Sequence, residues 1–256
     1  MPCKDGKTDL DALKEMLTPD VASVYIQQPN FFGLFEDADA IGEAVHAAGA
    51  MYIMGCNPIA LGIMKTPRAC GADIAVGEAQ PLGMPLSYGG PYLGYMTTTS
   101  KYMRKLPGRI CGETVDAKGD RAFVLSLQAR EQHIRREKAS SNICSNQALC
   151  ALTAGLYLSV MGPVGLAEAA KQSMSKAHYL AAELCKLPGV SLKYEGAFFH
   201  EFVTVMPKAE EVLAALQAKG ILGGLIADGG VLWCATEKVS KEELDRAVSI
   251  VKEVLA

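Results

Sequence analysis

VASVYIQQPNFFGLFEDADAIGEAVHAAGAMYIMGCNPIALGIMKTPRACGADIAVGEA, residues 21–79, decides the fold class. Val21–Gln27 is a continuous run rich in β-branched residues that ends at Pro29 and predicts a buried strand. Asp37 offers an N-cap, Ile41, Ala44, Val45 and Ala48 mark one helical face, and Gly49 stops the helix. Met51–Cys56 predicts a second strand, Ile59–Lys65 a short helical stretch and Asp73–Val76 a third strand. Strand, helix, strand, helix, strand with short links is the pattern of a parallel sheet with helical crossovers. Parallel sheets covered on both faces usually carry more than three strands, and the chain opens almost directly into its first one. The expectation is therefore a large α/β domain lacking an N-terminal portion.

Downstream, residues 81–122 are dense in glycines, among them 83, 89, 90, 94, 108 and 112, and hold prolines at 81, 85, 91 and 107. That density predicts irregular chain, with one short strand at Leu93–Thr97. Asn146–Met161 is Ala/Leu-rich and ends at Gly162-Pro163; Leu166, Ala170, Met174, Ala177, Leu180 and Leu184 then mark a second helix. The remainder reads strand, strand, helix, strand, helix. Lys208–Lys219 is helical with Gly220 as its stop, and Val231–Thr236 is a strand. Ser240-Lys241-Glu242-Glu243 is a capping box stapled by Val239 and Leu244. Two units follow: 1–160, the C-terminal part of a large α/β domain, and 161–256, a small α+β domain.

Of the 256 residues half are hydrophobic and 21% charged; 25 Lys+Arg against 28 Asp+Glu leave a net charge of -3, and mean hydropathy is +0.15. Such a chain buries a core and carries no electrostatic footprint for nucleic acid. No apolar run is expected to reach membrane-spanning length, and residues 1–20 lack an export h-region, so the cytoplasm is the expected compartment. The eight cysteines, at 3, 56, 70, 111, 144, 150, 185 and 234, form no C-x-x-C and lie near no His at zinc-ligand spacing. Most read as small buried hydrophobes, with surface thiols as the remainder, and neither metal nor disulfides are expected. Gly89-Gly90-Pro91, Gly223-Gly224 and Gly229-Gly230 fit no nucleotide-binding pattern and read first as tight turns.

The densest polar stretch is REQHIRREKASSNICSNQALCAL, Arg130–Leu152. It reads either as a solvated helical face or as a recognition segment, because polar groups running into an apolar helix must find partners. His133 in it lacks the Ser and Asp companions of a catalytic triad. Together with QPNFFGLFED (Gln28–Asp37), ADIAVGEAQPLGMPLSYGGPYLG (Ala72–Gly94) and KLPGRICGETVD (Lys105–Asp116), this stretch resembles glycine dehydrogenase (decarboxylating) subunit 1. That family is the P-protein of the glycine cleavage system in its two-subunit bacterial form. The resemblance runs from about Thr8 to Met206 and on into the final helix, and the chain corresponds to the C-terminal part of the longer family subunit. The connection at 220–230 is shorter than the family's.

The resemblance implies the aspartate-aminotransferase fold, fold type I of the pyridoxal phosphate (PLP) enzymes, with a large α/β and a small α+β domain. It implies condensation of glycine with PLP, release of CO₂ and transfer of the aminomethyl group to the lipoyl arm of H-protein, with PLP as electron sink. The Schiff-base lysine of the fold corresponds here to Gln80 or Pro81, and no lysine occurs between 66 and 100. Asn57 stands near the place of the carboxylate that pairs with the pyridine nitrogen. The family accounts for both departures, since the companion subunit 2 carries the PLP lysine. The chain is thus expected to contribute no catalytic or cofactor-binding residue and to act in a hetero-oligomer, self-associating when alone. Gly89, Gly90, Arg130, His133, Arg135, Arg136, Asn142 and Asn146 are the candidates for interface or site support. Rival readings are an independent PLP enzyme of the cysteine-desulfurase type, with Lys65 or Lys101 as its lysine, and a non-enzymatic interaction subunit.

Overall fold

The computed structural model describes residues 1–128, 131–139, 141 and 145–256. A small hairpin, β1 (Cys3–Lys4) and β2 (Lys7–Thr8), and helix α1 (Leu10–Met16) precede the first long strand, so the chain does not open directly into its sheet. Asp9 caps α1 by accepting from the Asp11 and Ala12 amides. Strand β3 (Ser23–Gln28), helix α2 (Ala38–Ala47) and strands β4 (Met51–Cys56), β5 (Ile74–Glu78) and β6 (Gly94–Thr98) build the large sheet in spatial order β3-β4-β5-β6. The first two pairings are parallel and β5–β6 is antiparallel. As expected, Asp37 caps α2, accepting from the Ala40 amide, and Gly49 follows its end at φ 78°. Ile59–Lys65 yields only one 3-10 turn, Ala60–Gly62.

Strand β3 corrects the expectation of a fully buried run. Val24, Ile26 and Gln28 point inward while Ser23, Tyr25 and Gln27 face outward, Tyr25 with 52% exposure. The strand lies at the sheet edge, and the alternation is that of a strand covered on one face. A second correction falls in 81–122, where β7 (Arg109–Val115) and β8 (Arg121–Gln128) form a two-stranded antiparallel ribbon. Asp116 Oδ1 organises its turn by accepting from the Lys118 and Asp120 amides, with Gly119 at φ 88°.

Helix α3 (Gln132–Arg135) leads towards α4 (Ala148–Leu184), in which Gly162, at φ 60° and ψ -177°, breaks the helix just before Pro163. This matches the expected pair of helices. Ala148 to Ala167 carries no charge, so an apolar run of membrane-spanning length does exist, against expectation. Folded, its first arm ends at the break after about 21 Å, short of a ~30 Å hydrocarbon core.

The C-terminal part contains β9 (Ser191–Leu192), β10 (Glu201–Val205), α5 (Ala209–Ala218), β11 (Leu225–Ala227), β12 (Gly230–Cys234) and α6 (Lys241–Leu255). Its sheet has the order β11-β12-β10-β9, antiparallel throughout. Phe202, Val203 and Thr204 are buried in succession on β10, so this strand is covered on both faces. Leu184, Val212, Leu216, Val231, Trp233 and Val251 fill the core against it. Trp233 Nε1 donates to Thr204 Oγ1 at 2.8 Å inside that core. The capping box of α6 forms as read: Ser240 Oγ accepts from the Glu243 amide, and the Glu243 carboxylate accepts from the Ser240 amide. Val239 and Leu244 join the same apolar cluster.

Candidate functional site

At the carboxyl ends of β4 and β5 lies a cleft of about 700 Å³, where open α/β sheets place their ligands. Asn57 and Ile59 follow β4, and Gln80, Pro81, Gly83 and Met84 follow β5. Tyr157 and Ser173 of α4 form one side, while Phe199 and His200 just before β10 and Thr236, Glu237 and Lys238 after β12 close the far wall. A smaller cavity of about 430 Å³, lined by Arg68, Asp73 and Thr97–Thr99, occupies the opposite end of the strands and gathers none of the sequence-selected residues.

The QPNFFGLFED motif is structural joinery between the two sheets. Asn30 Oδ1 accepts from the Phe32 and Leu34 amides, and its Nδ2 donates to Glu36 and to the Gly6 carbonyl. The loop then strings along the C-terminal part, with Phe199 N–H donating to Gly33 O and Phe35 N–H to Ala197 O. Gly33, at φ 81°, touches the Glu201 backbone so closely that an added Cβ would lie 1.9 Å from its carbonyl oxygen. Only glycine fits there.

The residues standing where a lysine and a carboxylate are sought serve the backbone instead. Asn57 Oδ1 accepts from the Ile59 and Ala60 amides. Gln80 Nε2 donates to Met84 O at 2.6 Å, and Gln80 N–H donates to Glu78 Oε1, which also accepts from the Leu93 amide. Across the cleft, Ser173 Oγ donates to Ala169 O and lies 3.1 Å from Glu237 Oε2, and it accepts from the Glu237 amide. Lys176 Nζ donates to Glu237 O, tying α4 to the segment after β12.

Burial sets the charge states of His200 on the far wall and of Glu201 and Cys234, which do not line the cleft. It drops the His200 imidazole to about 4 against the opposing influence of Glu237, so the ring is neutral near pH 7. It lifts the Glu201 carboxyl to about 7. The Cys234 thiol rises to about 12, through burial first and then the nearby Glu201 and Glu237 carboxylates.

Of the sequence-selected positions, Asn57, Gln80 and Pro81 meet in the cleft. Gly89 and Gly90, at φ 109° and 148°, lie in an open loop with nothing within 4 Å of where a Cβ would stand. His133 and Arg135 on α3, Arg136 beyond it and Asn146 before α4 are exposed and do not line the cleft. Arg130 and Asn142 lie outside the described residues. Sequence reasoning missed Tyr157, Ser173, His200 and Glu237. No local motif marks them, because strand pairing and the α4 break bring them together.

Solved structures with low sequence identity share the architecture. A NifS-like protein from Rickettsia africae superimposes with a TM-score of 0.69 at 16% identity over 98% of this chain and 67% of its own. Mouse CSAD in apo form gives 0.71 at 15% identity, over 99% of this chain and 57% of its own. The fold is that of the fold type I PLP enzymes: a large α/β sheet, a small α+β unit and a cleft between them. The crystal structure titled glycine decarboxylase (P-protein) of the glycine cleavage system, in inhibitor-bound form, is nearer still, with a TM-score of 0.91 and 42% identity over 99% of this chain and 59% of that one. The family model described as Glycine cleavage system P-protein matches residues 4–251, and the chain belongs to that family. Among its curated relatives, the probable glycine dehydrogenase (decarboxylating) subunit 1 of Desulfitobacterium hafniense is 49% identical over 99% of this chain and 59% of its own length. The protein of the same description in Chlorobium luteolum is 50% identical over 94% of this chain and 56% of its own. The chain thus spans somewhat over half the length of these relatives.

Proposed function

We propose that this chain is the part of a two-subunit glycine dehydrogenase (decarboxylating) that lacks the Schiff-base lysine, and that it acts in the cytoplasm. Its role is to help build a site whose PLP is held covalently by subunit 2, which decarboxylates glycine and passes the aminomethyl group to lipoyl H-protein. One observation carries the reading. The turn after β5, at the cleft mouth, presents Gln80 and Pro81, and the Gln80 amide is engaged with Met84 O. A Schiff base needs an amine there, so these residues do not fit a covalently held PLP and no catalytic step is derived through it in this chain. The family membership and the subunit 1 descriptions of its relatives support the same reading.

The partner would be met by the first arm of α4. Leu149, Leu152, Leu156 and Val160 form a stripe along one side and are exposed, Leu156 by 59% and Val160 by 85%. Val115, Phe123, Val124 and Leu125 on the β7–β8 ribbon are exposed as well. Apolar surface of this kind marks an interface. In the absence of subunit 2, the same stripe would pair with a second copy.

The test is borohydride reduction of the chain with PLP, followed by peptide mapping and measurement of CO₂ release from glycine, with and without subunit 2. The expected outcome is no stoichiometric pyridoxyl-lysine in this chain and glycine decarboxylation only with the partner. A stoichiometric adduct here, at Lys238 on the cleft wall or elsewhere, with CO₂ release from the chain alone would overturn the reading.

A further inference from the structure

We propose that His200, Glu201 and Cys234 form a binding site for a divalent transition-metal ion of borderline softness, with zinc as the best match. A ring nitrogen of His200, a carboxylate oxygen of Glu201 and Cys234 Sγ all lie within 4.8 Å of one another. The fold explains their convergence. Glu201 on β10 and Cys234 on β12 are directly opposite in antiparallel register, which puts their side chains on one face. His200 lies in the bend just before β10, outside the strand's alternation of faces, and its carbonyl is held by the Ala235 N–H. Buried Phe199, Phe202, Trp233 and Ala235 flank the three donors, so the ligands stand on or next to strands anchored in a core.

The donor set selects the class of ion. Imidazole, carboxylate and thiolate together suit zinc and its neighbours, whereas magnesium and calcium prefer all-oxygen shells. Bonds of about 2.0–2.3 Å in a tetrahedral shell place donors about 3.3–3.8 Å apart. The three must therefore close by about an ångström, which rotation of the Cys234 and Glu201 side chains about their own bonds can supply. His200 Nδ1 is buried without a hydrogen-bond partner among the described residues, so the imidazole has coordinating capacity to spare. Three protein donors leave a fourth position open for water or a ligand carboxylate. The spacing rules that exclude zinc from the sequence look for ligands close along the chain, and this set joins positions 200 and 234 through strand pairing.

The experiment uses the full chain, kept reduced and freed of metal by a chelator, then titrated with zinc against a chromogenic competitor. Cobalt(II) replaces zinc in a parallel spectroscopic titration. One equivalent should bind with a dissociation constant of about 1 μM or tighter. Cobalt should give tetrahedral d–d bands and a thiolate charge-transfer band. Cys234→Ser should remove that band and weaken zinc binding at least tenfold. The near-isosteric Glu201→Gln, which leaves the strand unaltered, should weaken binding about tenfold with the band retained. Absence of an equivalent of bound metal at tens of micromolar zinc would overturn the proposal. So would binding and a band unchanged in both variants, which would place the metal on other cysteines.

Discussion

Two residues show how burial turns a side chain into a measurable quantity. Thr204 is fully buried, and its hydroxyl is the partner of the buried Trp233 indole. Thr204→Val keeps the shape and leaves that N–H unsatisfied, for an expected loss of about 1–3 kcal/mol, read from urea midpoints and a changed tryptophan emission. Glu201 titrates at about 7 in the folded chain against 4.5 as its ordinary value, because the strand pair desolvates it. The folded state therefore holds its proton more tightly than the unfolded state, so stability falls as pH rises from 4.5 to 7 and stays low above. In metal-free buffer Glu201→Gln should be more stable than the parent at pH 8, by on the order of 3 kcal/mol, with the gap closing by pH 4.5. Equal midpoints at pH 8 would show that the carboxyl is hydrated. Neither residue announces itself in sequence: Thr204 reads as one member of an alternating strand, and Glu201 as a surface acid.

Elements were legible where the local signal and the tertiary context agree. Helix α6 is the clearest case, since capping box, staple and apolar spacing point to the same boundaries and Leu244, Ala247, Ile250 and Val251 are buried as a face. Ser240→Ala should cost about 1 kcal/mol, measured by the same urea titration, because the Glu243 amide loses its acceptor. Helix α2, β4 and the break at Gly162 were equally readable. The β7–β8 ribbon was not. Its glycines and proline masked the pattern, and its apolar residues face outward instead of alternating against a core of this chain. Composition marks strand β3 but not its one-sided burial, because a run rich in β-branched residues looks alike at the edge and the centre of a sheet. Only pairing partners distinguish the two.

At the scale of the whole molecule, the proposed association surface is the exposed apolar arm of α4. Leu156→Glu with Val160→Glu changes exposed positions, so stability should move by no more than about 0.5 kcal/mol each. Light scattering at micromolar concentration should show loss of self-association, and a pull-down should show loss of subunit 2. Unaltered association would move the interface elsewhere. The sequence by itself determined the fold class, the order of most elements and the lack of a lysine between 66 and 100. Periodicity, caps and the identity of a residue at one position are local properties, and they are written along the chain. Tertiary structure alone decided that Asn57 and Gln80 serve backbone amides and carbonyls, that Ser173 and Glu237 close the cleft, and that His200, Glu201 and Cys234 stand together. Those arrangements depend on strand register and on a helix break that swings one segment over another, and no local spacing encodes the distance between residues so far apart in the chain.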